Sequence, residues 1–512
     1  MADEVPQITE QSSSRSQERI LRNTSYLTVA FILQKILSFL YFIYLSRLLG
    51  PVDLGLYDPM KSLIPILLIV IDFSLSVVLV REIARTPEKT EDYLANVLGV
   101  KVIFALVVLG VVGLITNFSP YDVLTKAILY LDVLIVVLDT FTLTFFAVFR
   151  GGQNMRYESI GMIVTQFFTV AVGALGLQFS HDLRIPFVAV ATGSVFNFFF
   201  SFIMLRRKLG VRVRLSWNRP IILQFLKTAI PFAIAAVLVK IYTYADRYML
   251  LAIHGKRWVG WYTTAHKYTY ALEFLPSAFA ASIFPAMSAY FVTSRDKLTA
   301  TFERACTYLI FMAMPICFGI IILADNIIVS LSGPAYTTSV LPLRILISGL
   351  IVIFLNFPIG SFLNACNRQA IQTRNMAITV GVNIVMNIVL IPPFSVVGAA
   401  LSAMVSGVVL CILGFWEVGQ VITFSKVALL RAFGKSTVAA LAMAAVIFIV
   451  QELVPVTFHL GSSPILKNWN AVVTLSGYIA IGMAWYAVTL RAVNGFTFTE
   501  VKSLFQKALV RR

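Results

Sequence analysis

The sequence predicts an all-α integral membrane protein with about 14 transmembrane helices. Three observations carry that expectation. Of the 512 residues, 59% are hydrophobic and only 13% charged, whereas a soluble domain carries roughly 25% charged residues. The apolar residues come in long unalternated runs, such as Val102 to Ile115 and Val438 to Val450. A membrane β-barrel would instead alternate over segments of about 10 residues. Finally, Gly50-Pro51, Gly151-Gly152, Gly333-Pro334, Pro392-Pro393 and Gly461 punctuate the runs at span-like intervals.

Residues 1–22 are polar and Ser-rich and are read as a disordered cytoplasmic tail. The run from Tyr26 to Leu49 is too long for the apolar region of a signal peptide, so it is read as the first span. Spans are expected at 24–48, 56–80, 94–116, 122–148, 158–179, 185–206, 222–253, 260–290, 299–324, 339–364, 371–392, 395–418, 430–453 and 470–491. Connections are short. The longest central one is RRKLGVRVRLSWNR, Arg206 to Arg219. Four cysteines, at 306, 317, 366 and 411, lie in or beside apolar runs without metal or disulfide spacing, and are read as packing thiols.

The chain carries 41 Lys and Arg against 24 Asp and Glu, a net charge of +17. A basic balance can mark a nucleic-acid partner, but a lipid-dissolved chain has little surface to lay along a polyanion, so no nucleic acid is expected. With the N-terminus in the cytoplasm, about 28 of the positive charges fall in cytoplasmic segments, about 7 in external ones and about 6 within spans. That bias places both termini in the cytoplasm and makes the protein multi-pass in the cytoplasmic membrane. Arg206, Arg207, Lys208, Arg212 and Arg214 then mark the inner face and meet anionic membrane lipids.

The chain also repeats itself. Gly50-Pro51-Val52-Asp53-Leu54-Gly55-Leu56-Tyr57 and Gly255-Lys256-Arg257-Trp258-Val259-Gly260-Trp261-Tyr262 share the pattern Gly-x4-Gly-x-Tyr at an offset of 205. The same offset aligns Lys35 with Lys240 and Lys61 with His266. Six spans separate the copies, so the two halves have one orientation and form a parallel repeat. The expected organisation is a tail at 1–22, an N-terminal six-helix lobe at 23–207 and a basic cytoplasmic linker at 208–221. A C-terminal six-helix lobe at 222–418 follows, then two further helices within 419–492 and a basic cytoplasmic tail at 493–512. The two parallel lobes would bracket a central cavity.

The segments LSRLLGPVDLGLYDPMKSL, Leu45 to Leu63, and YADRYMLLAIHGKRWVGWYTTAHKY, Tyr244 to Tyr268, resemble the lipid-linked oligosaccharide flippases. Those belong to the multidrug/oligosaccharidyl-lipid/polysaccharide exporter superfamily. The resemblance covers essentially the whole chain, although the signature expected of the lipid II flippase branch is not seen. It implies alternating access between two six-helix lobes, moving a polyprenyl-diphosphate-linked glycan outward for cell-surface polysaccharide biosynthesis. It also implies a monomer that supplies polysaccharide polymerase machinery.

No cofactor, metal or catalytic site is expected. Gly434-Lys435-Ser436 ends like a P-loop, but Leu429 stands where the first glycine is required. Transport would therefore be secondary. Ionisable residues inside spans are costly and usually face a cavity or a partner. A lipid diphosphate needs cations near mid-depth, and Lys35, Lys61, Lys240, Arg247 and Lys267 are the expected substrate-binding residues. Lys240 and Arg247, seven apart, share a helix face. Asp58, Asp72, Asp246, His266 and Glu273 are the ion-coupling or gating candidates. Asp58 can pair with Lys61 three residues on, and His266, Tyr270 and Glu273 form a stripe. Asp72, Asp132 and Asp139 could form a cation or proton site, or serve bundle packing.

Other readings stay open. A cation-coupled drug exporter of the same superfamily would favour acidic residues in the cavity. There the first, second, seventh and eighth spans hold five cations against Asp58, Asp72, Asp246 and Glu273. A glycan polymerase or ligase would show an extended external loop, and the longest one here lies near His459 to Lys467. A transport-inactive scaffold is the third.

Overall fold

The computed structural model describes residues 7–455 and 469–493. Among these the chain is helical with no strand. Its α-helices are α1 (Gln7–Asp72), α2 (Leu75–Arg85), α3 (Thr90–Phe118), α4 (Val123–Gly151), α5 (Arg156–Phe179), α6 (Arg184–Leu209), α7 (Arg219–His254) and α8 (Lys256–Tyr270). There follow α9 (Phe274–Thr293), α10 (Arg295–Leu331), α11 (Val340–Ser348), α12 (Leu350–Ala365), α13 (Gln369–Gly419), α14 (Lys426–Leu453) and α15 (Trp469–Ala492). Among the described residues eleven segments are long and apolar enough to cross a membrane, or twelve if the pair bent by 41° around Gly349 is one span. Large apolar side chains such as Leu106, Leu114, Phe167 and Ile412 lie exposed, as lipid-facing positions do and as a soluble surface does not. The protein is therefore an all-α, multi-pass membrane protein.

Two of the long segments are each two helices joined at one non-helical residue. In α1 the break is Gly50, with φ 69° and ψ 177°. In α13 it is Ser395, with φ 49° and ψ −123°. Ser395 follows Pro392-Pro393, whose missing backbone donors already weaken the ladder there. The expected spans on either side of these positions are thus continuous chain with a sharp corner.

The second expected span, 56–80, is interrupted. Phe73 and Ser74 adopt left-handed conformations, with φ 45° and 57°, and the chain resumes as α2. Polar groups flank the break, and Lys101 of α3 donates to both Asp72 and Ser76. The eighth expected span is likewise divided by a 3₁₀ turn, Ala271–Glu273. Helix α1 is already formed from Gln7, within the stretch expected to be a tail. Residues 1–6, 456–468 and 494–512, which include most of the expected C-terminal tail and the external segment near His459 to Lys467, lie outside the described residues.

The chain forms two compact units. The first comprises α1 up to Leu49 and from Leu56, then α2–α6 and α7 as far as Tyr244. The second comprises Gly50–Gly55 and the described residues from Ala245 onward. In the first unit, α2, α3 and α4 bury Leu79, Ile83, Leu94, Val97 and Phe149 against Phe225 and Ala229 of α7. The basic connection before α7 is pinned along the start of α3: the Arg212 N–H donates to Glu91, Arg214 pairs with Asp92 at 2.6 Å and the Asn218 N–H donates to Asn96. In the second unit, α9, α10, α12 and α13 share one core. The last two helices, α14 and α15, pack on α10 through Ala439, Met443, Leu475 and Tyr478.

Candidate functional site

The repeated motif has a backbone reason. Gly255, the cap of α8, has φ 88° and ψ −178°, nearly the conformation of Gly50. That region of backbone space is essentially reserved for glycine, so both copies turn a corner that no other residue turns cheaply. The second glycines do a different job. A Cβ on Gly55 would overlap the carbonyl of Lys256, and one on Gly260 would overlap the carbonyl of Pro51. Pro51 and Lys256 occupy equivalent positions of the two copies. The repeats therefore meet backbone to backbone, each through its second glycine and the residue after the other's first.

In the first unit, Lys35 of α1 and Lys240 of α7 are electrostatic neighbours. Lys35 is exposed and Lys240 half-buried. The Lys240 ammonium lies 5.9 Å from the centre of the Tyr244 ring. Neither lysine makes an ion pair among the described residues. Two like charges held together without a carboxylate repel each other, and the arrangement is relieved by an anion between them.

Lys61 behaves differently from the expected pair with Asp58. Its ammonium sits over the Tyr57 ring at 5.3 Å, and it makes no close ion pair, although Asp58 and Asp132 both act on it electrostatically. Asp58 is 7% exposed. Asp72 is engaged elsewhere. Lys101 donates to it at 2.5 Å, and also to Ser76 at 2.9 Å, to the Thr140 carbonyl at 3.1 Å and to the Thr144 hydroxyl. The Lys101 side chain is fully buried. A buried pair with every donor satisfied holds α1, α3 and α4 in one register. The sequence placed Lys101 in a span but gave no sign of its partner.

In the second unit, Asp246, Arg247 and His266 are all buried, at 3%, 2% and 7% exposure. The Arg247 Nη2 donates to His266 Nδ1 at 2.8 Å. Guanidinium has no acceptor, so Nδ1 must accept and the histidine carries any proton on Nε2. The Tyr262 hydroxyl donates to Asp246, whose other oxygen receives the Arg247 N–H at 2.8 Å. His266 stacks flat on Tyr270, with centroids 3.9 Å apart. The expected face-sharing of Lys240 and Arg247 thus resolves into one accessible lysine and one guanidinium closed into a helix-to-helix network. Lys267 is exposed and Glu273 half-buried at the 3₁₀ turn. The cysteines are free and buried, and no group of residues able to hold a metal ion occurs among the described residues.

A multi-helix membrane fold, a duplicated corner motif and unpaired cations along the spans define a protein of the transporter class. The chain belongs to the polysaccharide biosynthesis protein family, whose model matches residues 20–291, and the model of the lipid II flippase MurJ matches residues 156–468. The second match covers a branch whose signature is not visible at the level of motifs. The chain is similar to the probable low-salt glycan biosynthesis flippase Agl15 of Haloferax volcanii, with 24% identity over 95% of this chain and 99% of that one. It shares the fold of the lipid II flippase MurJ in its inward closed conformation, with a TM-score of 0.70 at 17% identity, covering 94% of this chain and 99% of the other. A multidrug resistance transporter of the MATE family, in its inward-facing conformation, aligns with a TM-score of 0.62 at 16% identity over 76% of this chain and 95% of its own.

Proposed function

We propose that this protein is a secondary transporter that flips a polyprenyl-diphosphate-linked oligosaccharide across the cytoplasmic membrane. It works by alternating access between two parallel six-helix lobes, with α14 and α15 as the two additional helices and both termini in the cytoplasm. The monomer hands its product to external polysaccharide assembly. The observation that carries this reading is the Lys35–Lys240 pair. Two neighbouring ammonium groups without a carboxylate favour a compact dianion such as a diphosphate, and they repel the cationic substrates typical of drug export. Arg247, Asp246 and His266 keep the end of α7 in register with α8, and Lys61 and Lys267 are further substrate contacts. The similarity to a glycan flippase over nearly the full length of both chains supports the same substrate class.

The test is export of lipid-linked glycan in cells lacking the native protein. The double variant Lys35→Ala/Lys240→Ala is expected to reach the membrane and to lose outer-leaflet glycan by at least about tenfold, the scale of about 1.4 kcal/mol of binding or barrier. Undiminished export by the double variant would overturn the assignment.

A further inference from the structure

Asp132 sits in the middle of α4 with no exposed surface. Neither of its carboxylate oxygens has a hydrogen-bond donor. A lone ionised carboxylate in such a place is strongly disfavoured, so the group needs either a proton or a cation. Around it lie other polar groups with unused capacity. The Tyr57 hydroxyl is buried without a partner and lies in the field of Asp58 and, more weakly, of Asp132. The Tyr41 hydroxyl is also buried without a partner and lies in the field of Tyr57. Lys61 is the cation that acts on Asp132, and it makes no close ion pair with it.

The contrast inside the same unit is direct. Asp72 and Lys101 form a closed pair whose donors are all used. Asp132 and Lys61 are the same two chemistries held apart. We propose that Asp132 is a proton-binding site, with Lys61 as the cation that stabilises its carboxylate when the proton leaves. Proton release gives a carboxylate that gains an ion partner across the α1–α4 packing, and proton uptake undoes that pair. One proton moves between the carboxyl and the aqueous phase, and no electron is transferred. The titratable groups that act on Asp132 or on its cation are Tyr57, Asp58 and Lys61 of α1, with Asp139 two turns on along α4. Beyond them Phe187 of α6 packs edge-on to Tyr57 at 5.2 Å. Ile64, Val108 and Ala191 from α1, α3 and α6 belong to an adjoining apolar cluster.

The site is tested without any glycan, so its failure is distinguishable from failure of the flippase reading. Infrared spectra of the full-length protein in liposomes are recorded from about pH 5 to about pH 9. A carboxyl carbonyl band is expected to fade as pH rises, to vanish in Asp132→Asn and to persist in Asp139→Asn. Lys61→Met is expected to move its midpoint upward by at least about one pH unit, because the carboxylate loses its cation. Melting curves check that the variants fold, and the wild-type titration needs no variant. The proposal is overturned by a band that survives in Asp132→Asn, by one that does not titrate, or by its removal on adding sodium at fixed pH, which would make this an alkali-cation site.

Discussion

The two copies of the corner motif began as the same device and now do different work. Around the second copy the side chains bond one another. Tyr262 bonds Asp246, Arg247 bonds His266 and His266 stacks on Tyr270. Around the first copy the Tyr41 and Tyr57 hydroxyls are buried without a partner. At the offset of 205, Tyr41 and Phe42 stand where the second copy has Asp246 and Arg247. Tyr57 therefore lacks the acceptor that Tyr262 has, and Lys61, in the place of His266, is a donor where the histidine accepts. What remains common is the backbone, namely the first glycines at φ 69° and 88° and the reciprocal contacts of the second glycines. The backbone of a duplicated motif is kept because its glycines have no substitute, while the side chains around it are free to diverge.

The shared backbone is therefore where the largest effect is expected. Gly55→Val and Gly260→Val each drive a side chain into a neighbouring carbonyl, which backbone cannot yield. Neither variant should give a monodisperse peak in detergent size-exclusion chromatography. Gly50→Ala meets no neighbour and suffers only its strained dihedrals, about 1–3 kcal/mol, so it should fold with a lowered melting temperature. Equal behaviour of all three would mean that the close contact of the second glycines adds nothing to the demand of the corner itself.

Next come the closed networks. Arg247→Ala leaves His266 and its buried surroundings without their guanidinium, and Lys101→Met strands the Asp72 carboxylate. Breaking the buried Asp72–Lys101 pair from one side costs about 3–5 kcal/mol, and taking the donor from a buried neutral histidine about 1–3 kcal/mol. Both should unfold well below the wild type in a thermal scan. The double variant Asp72→Asn/Lys101→Met, which removes both charges, should recover at least about half of the loss. If it does not, the pair is more than a structural lock.

The sequence carried the architecture further than the site. The fold class was legible because apolar runs of span length have few other uses, and Gly50 and Gly255 because a corner with positive φ demands glycine. Lys35 and Lys240 were legible through the offset that aligns them. The break after Asp72 was not, because the Lys101 that bonds Asp72 lies 29 residues away on another helix. Asp58 and Lys61 were expected to pair from their spacing alone, but spacing sets proximity on a helix and not rotamer choice. There the Tyr57 face and Asp132, arriving from α4, compete for the ammonium. The burial of Arg247 was hidden for the same reason: its partner His266 lies on the next helix, and nothing in the local pattern tells a cavity-facing cation from an interhelical one.

The smallest expected effect discriminates most finely between the two copies. Tyr262→Phe removes a buried donor from Asp246 and strands part of a carboxylate, which should cost about 1–2 kcal/mol. Tyr57→Phe, at the equivalent position, removes a hydroxyl that has no partner, while the ring keeps its packing on Phe187 and beneath the Lys61 ammonium. Deleting an unsatisfied buried hydroxyl is neutral or mildly stabilising, so its melting temperature should match or slightly exceed the wild type. Equal destabilisation of the two would mean that the Tyr57 hydroxyl is engaged after all, and with it the open chemistry that distinguishes the first copy from the second would disappear.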